Sequence, residues 1–242
     1  MSSILEIYNE TFEQVRSDKS QKHFNDVLSE LRKQEFSMED IEAIFVPNND
    51  FLLSLHSGWE ESNIGAYRDG LCNYVGEMIA PIKNVMGNIV GFVGFDPMIY
   101  ADVHSGEGTG NYYIYHMMRG YKKSNYLYYP GKSFEDCMHT HLLLVDGVFD
   151  AISLTREGFN AGALMGSTVS KVHRAIFDIV DNVYLCMDND DAGTKLATSL
   201  RFGNKKIEII KQHWTKDADE CLKSAYRDDY LAILKSVIEK SK

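Results

Sequence analysis

The stretch LLLVDGVFD, residues 142–150, decides how this chain folds. Leu142-Leu143-Leu144-Val145 is short and wholly apolar, as a strand covered on both faces must be. Asp146 follows at once, and a helix is expected from Asp150 to Glu157, stopped by Gly158. The same unit recurs downstream. Ala161 to Met165 is a second apolar run, with a helix expected from Thr168 to Val180. Val183 to Met187 is a third, followed by a helix over Ala192 to Phe202 that Gly203 closes. Ile207 to Ile210 gives a fourth strand. Strands alternating with helices call for a parallel sheet with right-handed crossovers. A last amphipathic helix, Asp229 to Lys240, is placed to cap that sheet.

Upstream the pattern differs. Apolar residues recur at helical spacing through Ile4, Ile7, Tyr8, Phe12 and Val15, and again through Phe24, Val27, Leu28 and Leu31. Ser37 with Asp40 forms a capping-box pattern that opens a helix over Met38 to Phe45, ended by Pro47-Asn48-Asn49-Asp50. Residues 51–104 are strand-rich, with Met78 to Pro81 and Asn88 to Phe95 flanking a turn at Met86-Gly87. The tract SGEGTG, Ser105 to Gly110, is a loop. The expected fold is α/β: an N-terminal helical and mixed α+β subdomain over 1–135, a mostly parallel sheet flanked by helices over 136–225, and a C-terminal helix over 226–242.

Composition bounds the function classes. With 242 residues, 44% of them hydrophobic, the chain can bury one or two cores. No apolar run approaches the roughly 18 residues of a membrane span. The opening MSSILEIYNE has neither a basic n-region nor an apolar h-region, so a cytoplasmic protein with no membrane partner is expected. Cys72, Cys137, Cys186 and Cys221 form no CxxC pair, and His139, His141 and His173 have no zinc spacing, so no zinc is expected. The net charge of −10 argues against a broad nucleic-acid surface, but its distribution is uneven. Residues 108–133 contain no Asp or Glu and carry Arg119, Lys122, Lys123 and Lys132 among seven tyrosines. Aromatic faces interleaved with cations suit single-stranded nucleic acid, and the same tyrosines would equally serve as a small core. Lys83 can join this surface. Lys171, one turn beyond Gly166-Ser167-Thr168, can serve an anion at a helix start there, although Ser167 as a plain N-cap explains that loop as well.

The acids carry the sharper signal. Ligands of open parallel sheets sit beyond the carboxyl ends of the strands. Here those ends hold Asp146 with Asp150, then Asp188, Asp190 and Asp191, then Asp217, Asp219 and Glu220. A helix start needs one capping acid, so three clusters exceed what capping requires. Like charges gathered in one crevice call for a cation, and hard oxygen donors suit Mg²⁺ or Mn²⁺ with positions left for substrate phosphates.

Those same segments, LLLVDGVFDAISLTREGFNAGALMGSTVS, VYLCMDNDDAG and KDADECL, resemble the three TOPRIM motifs of the bacterial and phage (DnaG-like) DNA primases. Upstream, Ala80-Pro81-Ile82-Lys83-Asn84 through Gly87 to Phe92, Tyr121-Lys122-Lys123 with Leu127-Tyr128-Tyr129, and Leu31 to Val46 are similar to segments of that family's catalytic core. The resemblance covers roughly Phe24 to Leu222. It implies that Asp146, Asp188, Asp190, Asp217 and Asp219 lie near the metals, with Asp146, Asp150, Asp188 and Asp190 catalytic and Asp150 supporting Asp146. It places the family's basic residue at Lys123.

The implied activity is that of a primase-type DNA-directed RNA polymerase, a nucleotidyltransferase that makes short RNA primers for DNA replication. Its partners would be single-stranded DNA template, ribonucleoside triphosphates, and a replicative helicase or a separate zinc-binding helper. The sequence departs from the family at three places: Asp146 stands where Glu is usual, Ala218 where Pro is common, and Gly94-Phe95-Asp96 lacks an expected arginine. The family's zinc-binding domain is not found. Two other readings share these residues: a TOPRIM nuclease that delivers water, and a degenerate non-catalytic module that binds single strands.

Overall fold

The computed structural model describes residues 44–45, 67–68, 71–72, 78–95, 115–117, 122–131, 134–166, 168–199 and 207–240. The chain divides into two compact units, Met1–Lys83 with Asn88–Tyr121, and Asn84–Gly87 with Lys122–Lys242.

The first unit contains an antiparallel sheet ordered β1-β4-β5-β6. Its strands are β1 (Ile44–Phe45), β4 (Met78–Lys83), β5 (Ile89–Phe95) and β6 (Tyr115–Met117). A separate two-stranded pair joins β2 (Tyr67–Arg68) to β3 (Leu71–Cys72). On β4, Ala80, Pro81 and Ile82 are all buried. The turn from β4 to β5 is closed by the Gly87 N–H donating to the Asn84 carbonyl, with Gly87 at φ +82°.

One expectation fails here. The helix predicted over Met38 to Phe45 does not reach its end, because Ile44 and Phe45 are extended and pair with Ile79 and Met78. A β-branched and an aromatic residue offered an open strand edge take it, and tertiary pairing overrides the local cap signal. The helices expected over residues 4–31 lie outside the described residues, as does the loop at 105–110.

The second unit is built on a parallel sheet ordered β10-β9-β7-β8. Its strands are β7 (Leu142–Val145), β8 (Ala161–Ala163), β9 (Val183–Leu185) and β10 (Ile207–Ile209). Every residue of β7, β8 and β9 is buried, which is why their sequences are unbroken apolar runs rather than alternating ones. The helices are α1 (Glu135–Met138), α2 (Val148–Arg156), α3 (Lys171–Ile179), α4 (Asp191–Ser199), α5 (Ala218–Leu222) and α6 (Arg227–Glu239). Helix α5 packs on α2 and α6. Tyr230 of α6 is almost wholly buried and hydrogen-bonds Cys186 just past β9, which ties the last helix to the sheet. Among the described residues no helix is long and apolar enough to cross a membrane.

Strand order creates the site. From β7 the chain passes to β8 on one side, then returns to lay β9 on the other side of β7. The split between β7 and β9 is a topological switch point, and a crevice opens beyond the carboxyl ends of those two strands. Asp146 and Asp188 are the residues that follow them.

The tyrosine-rich strip also has a structural use. Tyr128 exchanges two backbone hydrogen bonds with Ala163, at 3.0 and 2.8 Å, and so extends the sheet beyond β8. Tyr128 is 1% exposed, and Tyr129 is buried against Phe134, so for these two rings the core role holds rather than base stacking.

Candidate active site

Asp146 and Asp188 meet across the switch point. The Asp188 N–H donates to Oδ2 of Asp146 at 3.2 Å. The other oxygen, Oδ1 of Asp146, is buried with no hydrogen-bond partner. Burial raises the pKa of Asp146 and the charge of Asp190 adds to it, while the Asp188 N–H and Lys216 oppose the rise. Asp188 is pushed up to about 6 by its own burial and by the charge of Asp146, against the pull of Lys216. The Lys216 ammonium stands 3.6 Å from Asp188. A carboxylate with one oxygen buried and bare is poised for a cation or a proton.

The second acidic loop depends on a glycine. Asp190 Oδ1 accepts the Gly193 N–H at 2.7 Å and so caps the start of α4. A Cβ on Gly193 would stand 2.2 Å from the Asp188 carbonyl oxygen. Asp-x-Asp-x-Ala-Gly is therefore a packing requirement: only glycine lets α4 begin against the backbone that presents Asp188.

The third acidic loop is stitched to the second by the Asn189 N–H, which donates to the Lys216 carbonyl at 2.7 Å. Asp217 caps α5 by accepting the Glu220 N–H at 2.8 Å. Burial raises its pKa, opposed by that N–H and reinforced by Asp219. Asp219 is placed differently from an open ligand. It is 5% exposed, its Oδ1 accepts the Ser153 hydroxyl at 2.5 Å, and its Oδ2 accepts the Lys223 ammonium at 2.9 Å. The Asp219 N–H in turn donates to Asp150 Oδ1 at 2.9 Å. Asp150 is likewise buried, and burial together with the charge of Asp217 holds its pKa well above the carboxylate range. Asp150 and Asp219 thus tie α2 to α5 beneath the crevice.

Sequence reading missed Ser153, Gln212, Lys216 and Lys223. For Ser153 a signal existed: it lies three residues past Asp150, on the same helical face.

Among the described residues no group of three or more His, Cys, Asp and Glu side chains stands close enough to hold an ion alone. The Asp146–Asp188 pair, with the charges of Asp190 and Asp217 near it, is instead a partial set of hard oxygen donors. That chemistry fits Mg²⁺, which keeps waters and phosphate oxygens in most of its positions and needs only one or two protein carboxylates.

Residues 143–222 match the Toprim-like family model, and this span includes all three acidic loops. They form a Toprim-like domain. The chain is similar to the DNA primase of Rickettsia felis, with 27% identity over 236 residues, covering 86% of this chain and 38% of the relative. Against the DNA primase of Rickettsia conorii it is 30% identical over 164 residues, or 64% of this chain and 26% of the relative. It therefore spans well under half the length of these curated relatives. Its fold matches the DnaG primase catalytic domain solved bound to single-stranded DNA, at a TM-score of 0.77 and 18% identity, over 96% of this chain and 78% of that one. The chain thus has the fold of the DnaG catalytic core, with a Toprim-like region over residues 143–222.

Of the expected cations, Lys123 reaches the Toprim-like domain. It lies in the short 3-10 turn Lys123–Asn125, and a Cβ on Gly166 would stand 2.9 Å from its Nζ. Gly166 follows Met165, whose N–H donates to the Asp146 carbonyl at 3.1 Å and whose φ is +57°, rare for a residue with a side chain. Lys123 is thus laid over the loop next to Asp146.

The turn that holds Lys123 is clamped from α3. Ser170 Oγ donates to the Ser124 carbonyl, and His173 Nε2 donates to the Tyr126 carbonyl at 2.9 Å. Ser170, not Ser167, caps α3, accepting the Val172 and His173 N–H groups at 3.1 Å each. The helix accordingly begins at Lys171 instead of Thr168, and Gly166-Ser167-Thr168 does not open it. The reason is that His173 completes a capping box by accepting the Ser170 N–H, which fixes the start three residues later than expected. Lys122 and Lys171 are exposed, Lys83 ends β4 in the first unit, and Arg119 lies outside the described residues.

Proposed function

We propose that this chain is the catalytic core of a DNA primase: a primase-type DNA-directed RNA polymerase that synthesises short RNA primers on single-stranded DNA in the cytoplasm. The observation that carries the reading is the Asp146–Asp188 pair at the switch point, with Asp146 Oδ1 bare and Lys123 laid over the adjoining loop. The curated relatives named DNA primase, and the DnaG domain that was solved with single-stranded DNA, support it.

In this reading Asp146 and Asp188 hold Mg²⁺ or Mn²⁺, with Asp190 and Asp217 completing the acidic rim. When bound, the metal supplies Lewis-acid polarisation of a phosphoryl group and a lowered pKa for an attacking 3′-hydroxyl. The chain's own groups position the reactants. Lys216 offsets the charge of Asp188 when no substrate is present, and Lys123 offers an ammonium to phosphate oxygens. Exposed Lys122 and Lys171 offer further cations to template or triphosphate in the second unit, and Lys83 and Arg119 are proposed nucleic-acid contacts of the first. Asp150 and Asp219 act as the frame that keeps α2 and α5 in register. In this reading residues 1–135 form a primase-like subdomain, 136–225 the metal-binding domain and 226–242 a C-terminal helix. A replicative helicase or a separate zinc-binding helper is a proposed partner, since a chain with net charge −10 has little electrostatic hold on template.

Primer synthesis by the purified chain tests the proposal, with single-stranded templates, labelled ribonucleotides, Mg²⁺ or Mn²⁺, and Asp188→Ala as control. Short oligomers that disappear in the variant support a primase. Metal-dependent loss of template would make it a nuclease. Neither activity, with a helicase added, would reduce the chain to a binding module.

A further inference from the structure

We propose that Trp214, stacked on Tyr226, is a nucleobase platform at the rim of the acidic crevice, taking an unpaired base carried on a nucleotide or a single strand. The inference rests on the nucleotidyl-transfer reading above. The two rings lie with centroids 5.5 Å apart and planes within 10° of parallel. Yet Trp214 is 37% exposed and Tyr226 44%. Large aromatic groups left this open forgo the stabilisation that burial gives, and a parallel pair offers a ready stacking face.

The loop that presents Trp214 is rigidly built. Gln212 is buried, and its side-chain oxygen accepts the N–H groups of Trp214 and Thr215, both at 3.0 Å. Its amide nitrogen donates to the Thr215 carbonyl at 2.8 Å. A buried polar hub that pins the backbone of the tryptophan itself and of the residue after it pre-orders the loop that carries the ring, so little order remains to be imposed on binding. Tyr226 is fixed from a different segment, where its N–H donates to Ser224 Oγ at 3.1 Å.

Position supplies the ligand. Lys216 lies two residues beyond Trp214, a span of at most about 7 Å. Its ammonium is 3.6 Å from Asp188, and its carbonyl holds Asn189. The platform therefore adjoins the acids proposed to take phosphates through a metal, and exposed Lys211 and His213 flank it. A nucleotide with phosphates at the acids and its base on the rings uses both features. Stacking accepts every base, so the platform adds affinity without reading sequence.

The chain has two tryptophans, Trp59 and Trp214, so Trp59→Phe leaves Trp214 as the fluorescent reporter. That protein is titrated in Mg²⁺ with oligothymidylate, an abasic strand of equal length, ATP and inorganic triphosphate. Quenching by base-bearing ligands, and not by the abasic strand or triphosphate, is the expected result. Quenching by ATP assigns the platform to the incoming nucleotide, and quenching by the oligomer alone assigns it to the strand. In the native chain, anisotropy of a labelled strand should show affinity falling about 5- to 150-fold on Trp214→Ala, with most of it kept on Trp214→Phe. Equal binding of base-bearing and abasic strands, without quenching, overturns the platform. Primer synthesis in the same preparations separates the two ideas. Synthesis without quenching overturns the platform alone, whereas quenching without synthesis overturns the nucleotidyl-transfer reading and leaves base binding standing.

Discussion

The backbone N–H of Asp188 grips Oδ2 of Asp146 at 3.2 Å, so the loop after one central strand orients the acid after the other. Both residues owe their position to the strand order, which parts the chain between β7 and β9. The bond leaves Asp146 with one satisfied and one bare oxygen, a division that sets the first prediction.

Asp146→Asn should abolish primer synthesis, by a factor of about 100 or more, without weakening the fold. Burial raises the folded pKa of Asp146, so ionisation above that pKa opposes folding, and the neutral amide removes this cost. Thermal unfolding in metal-free buffer should give a midpoint equal to or above that of the parent. Added Mg²⁺ should raise the parent's midpoint and leave the variant's unmoved. A variant that kept full activity would end the metal assignment.

Gly193→Ala tests the packing of α4 against the Asp188 loop. A methyl 2.2 Å from the Asp188 carbonyl cannot be accommodated in place, so the loop must shift. The expected loss of stability is about 1–3 kcal/mol in urea unfolding. Activity should fall further than stability does, because the displaced backbone carries Asp188 with it. Stability within a few tenths of a kcal/mol of the parent would contradict this geometry.

Ser153→Ala removes the hydroxyl donated to Asp219 Oδ1 and leaves a buried carboxylate oxygen short of a partner. A hydrogen bond to a charged group contributes about 1.5–3 kcal/mol, and chemical denaturation should register a loss of that size. The Lys223 contact persists, so the helix pair should stay folded at room temperature. An unchanged midpoint would mean that Asp219 finds another donor.

His173 should make stability depend on pH. Burial lowers its folded pKa below 6.5, opposed by its contact with the Tyr126 carbonyl, so the folded chain binds this proton less readily than the unfolded one. Its contribution is fully present above pH 6.5 and is lost as pH falls from 6.5 through the folded pKa. Protonation would put a second N–H on the ring where it now accepts from Ser170, breaking the capping box. His173→Gln should flatten that part of the unfolding profile. A slope that is the same in parent and variant would assign the effect elsewhere.

Much of the second unit was legible because β7, β8 and β9 are buried on both faces. Such strands are unbroken apolar runs, and the helices between them close on Gly158 and on polar turns. The acids stood out for the same reason, since a charge directly after an apolar run marks a strand's end. Other features were hidden because they depend on distant partners. Ile44 and Phe45 are extended only because β4 offers an edge, and Tyr128 is core only because Ala163 pairs with it. The start of α3 moved because the ring of His173 reaches back to Ser170.

The amino-acid sequence by itself determined the parallel α/β unit, the three acidic loops and the kinship they carry, because local periodicity and strand-end chemistry are written residue by residue. Only the tertiary structure decided how each acid is partnered. Asp146 keeps one buried oxygen bare, while Asp219, two residues past Asp217, has both oxygens taken by Ser153 and Lys223. That difference is set by side chains 66 positions apart in one case and four in the other, and a carboxylate's role follows from the donors that reach it in space.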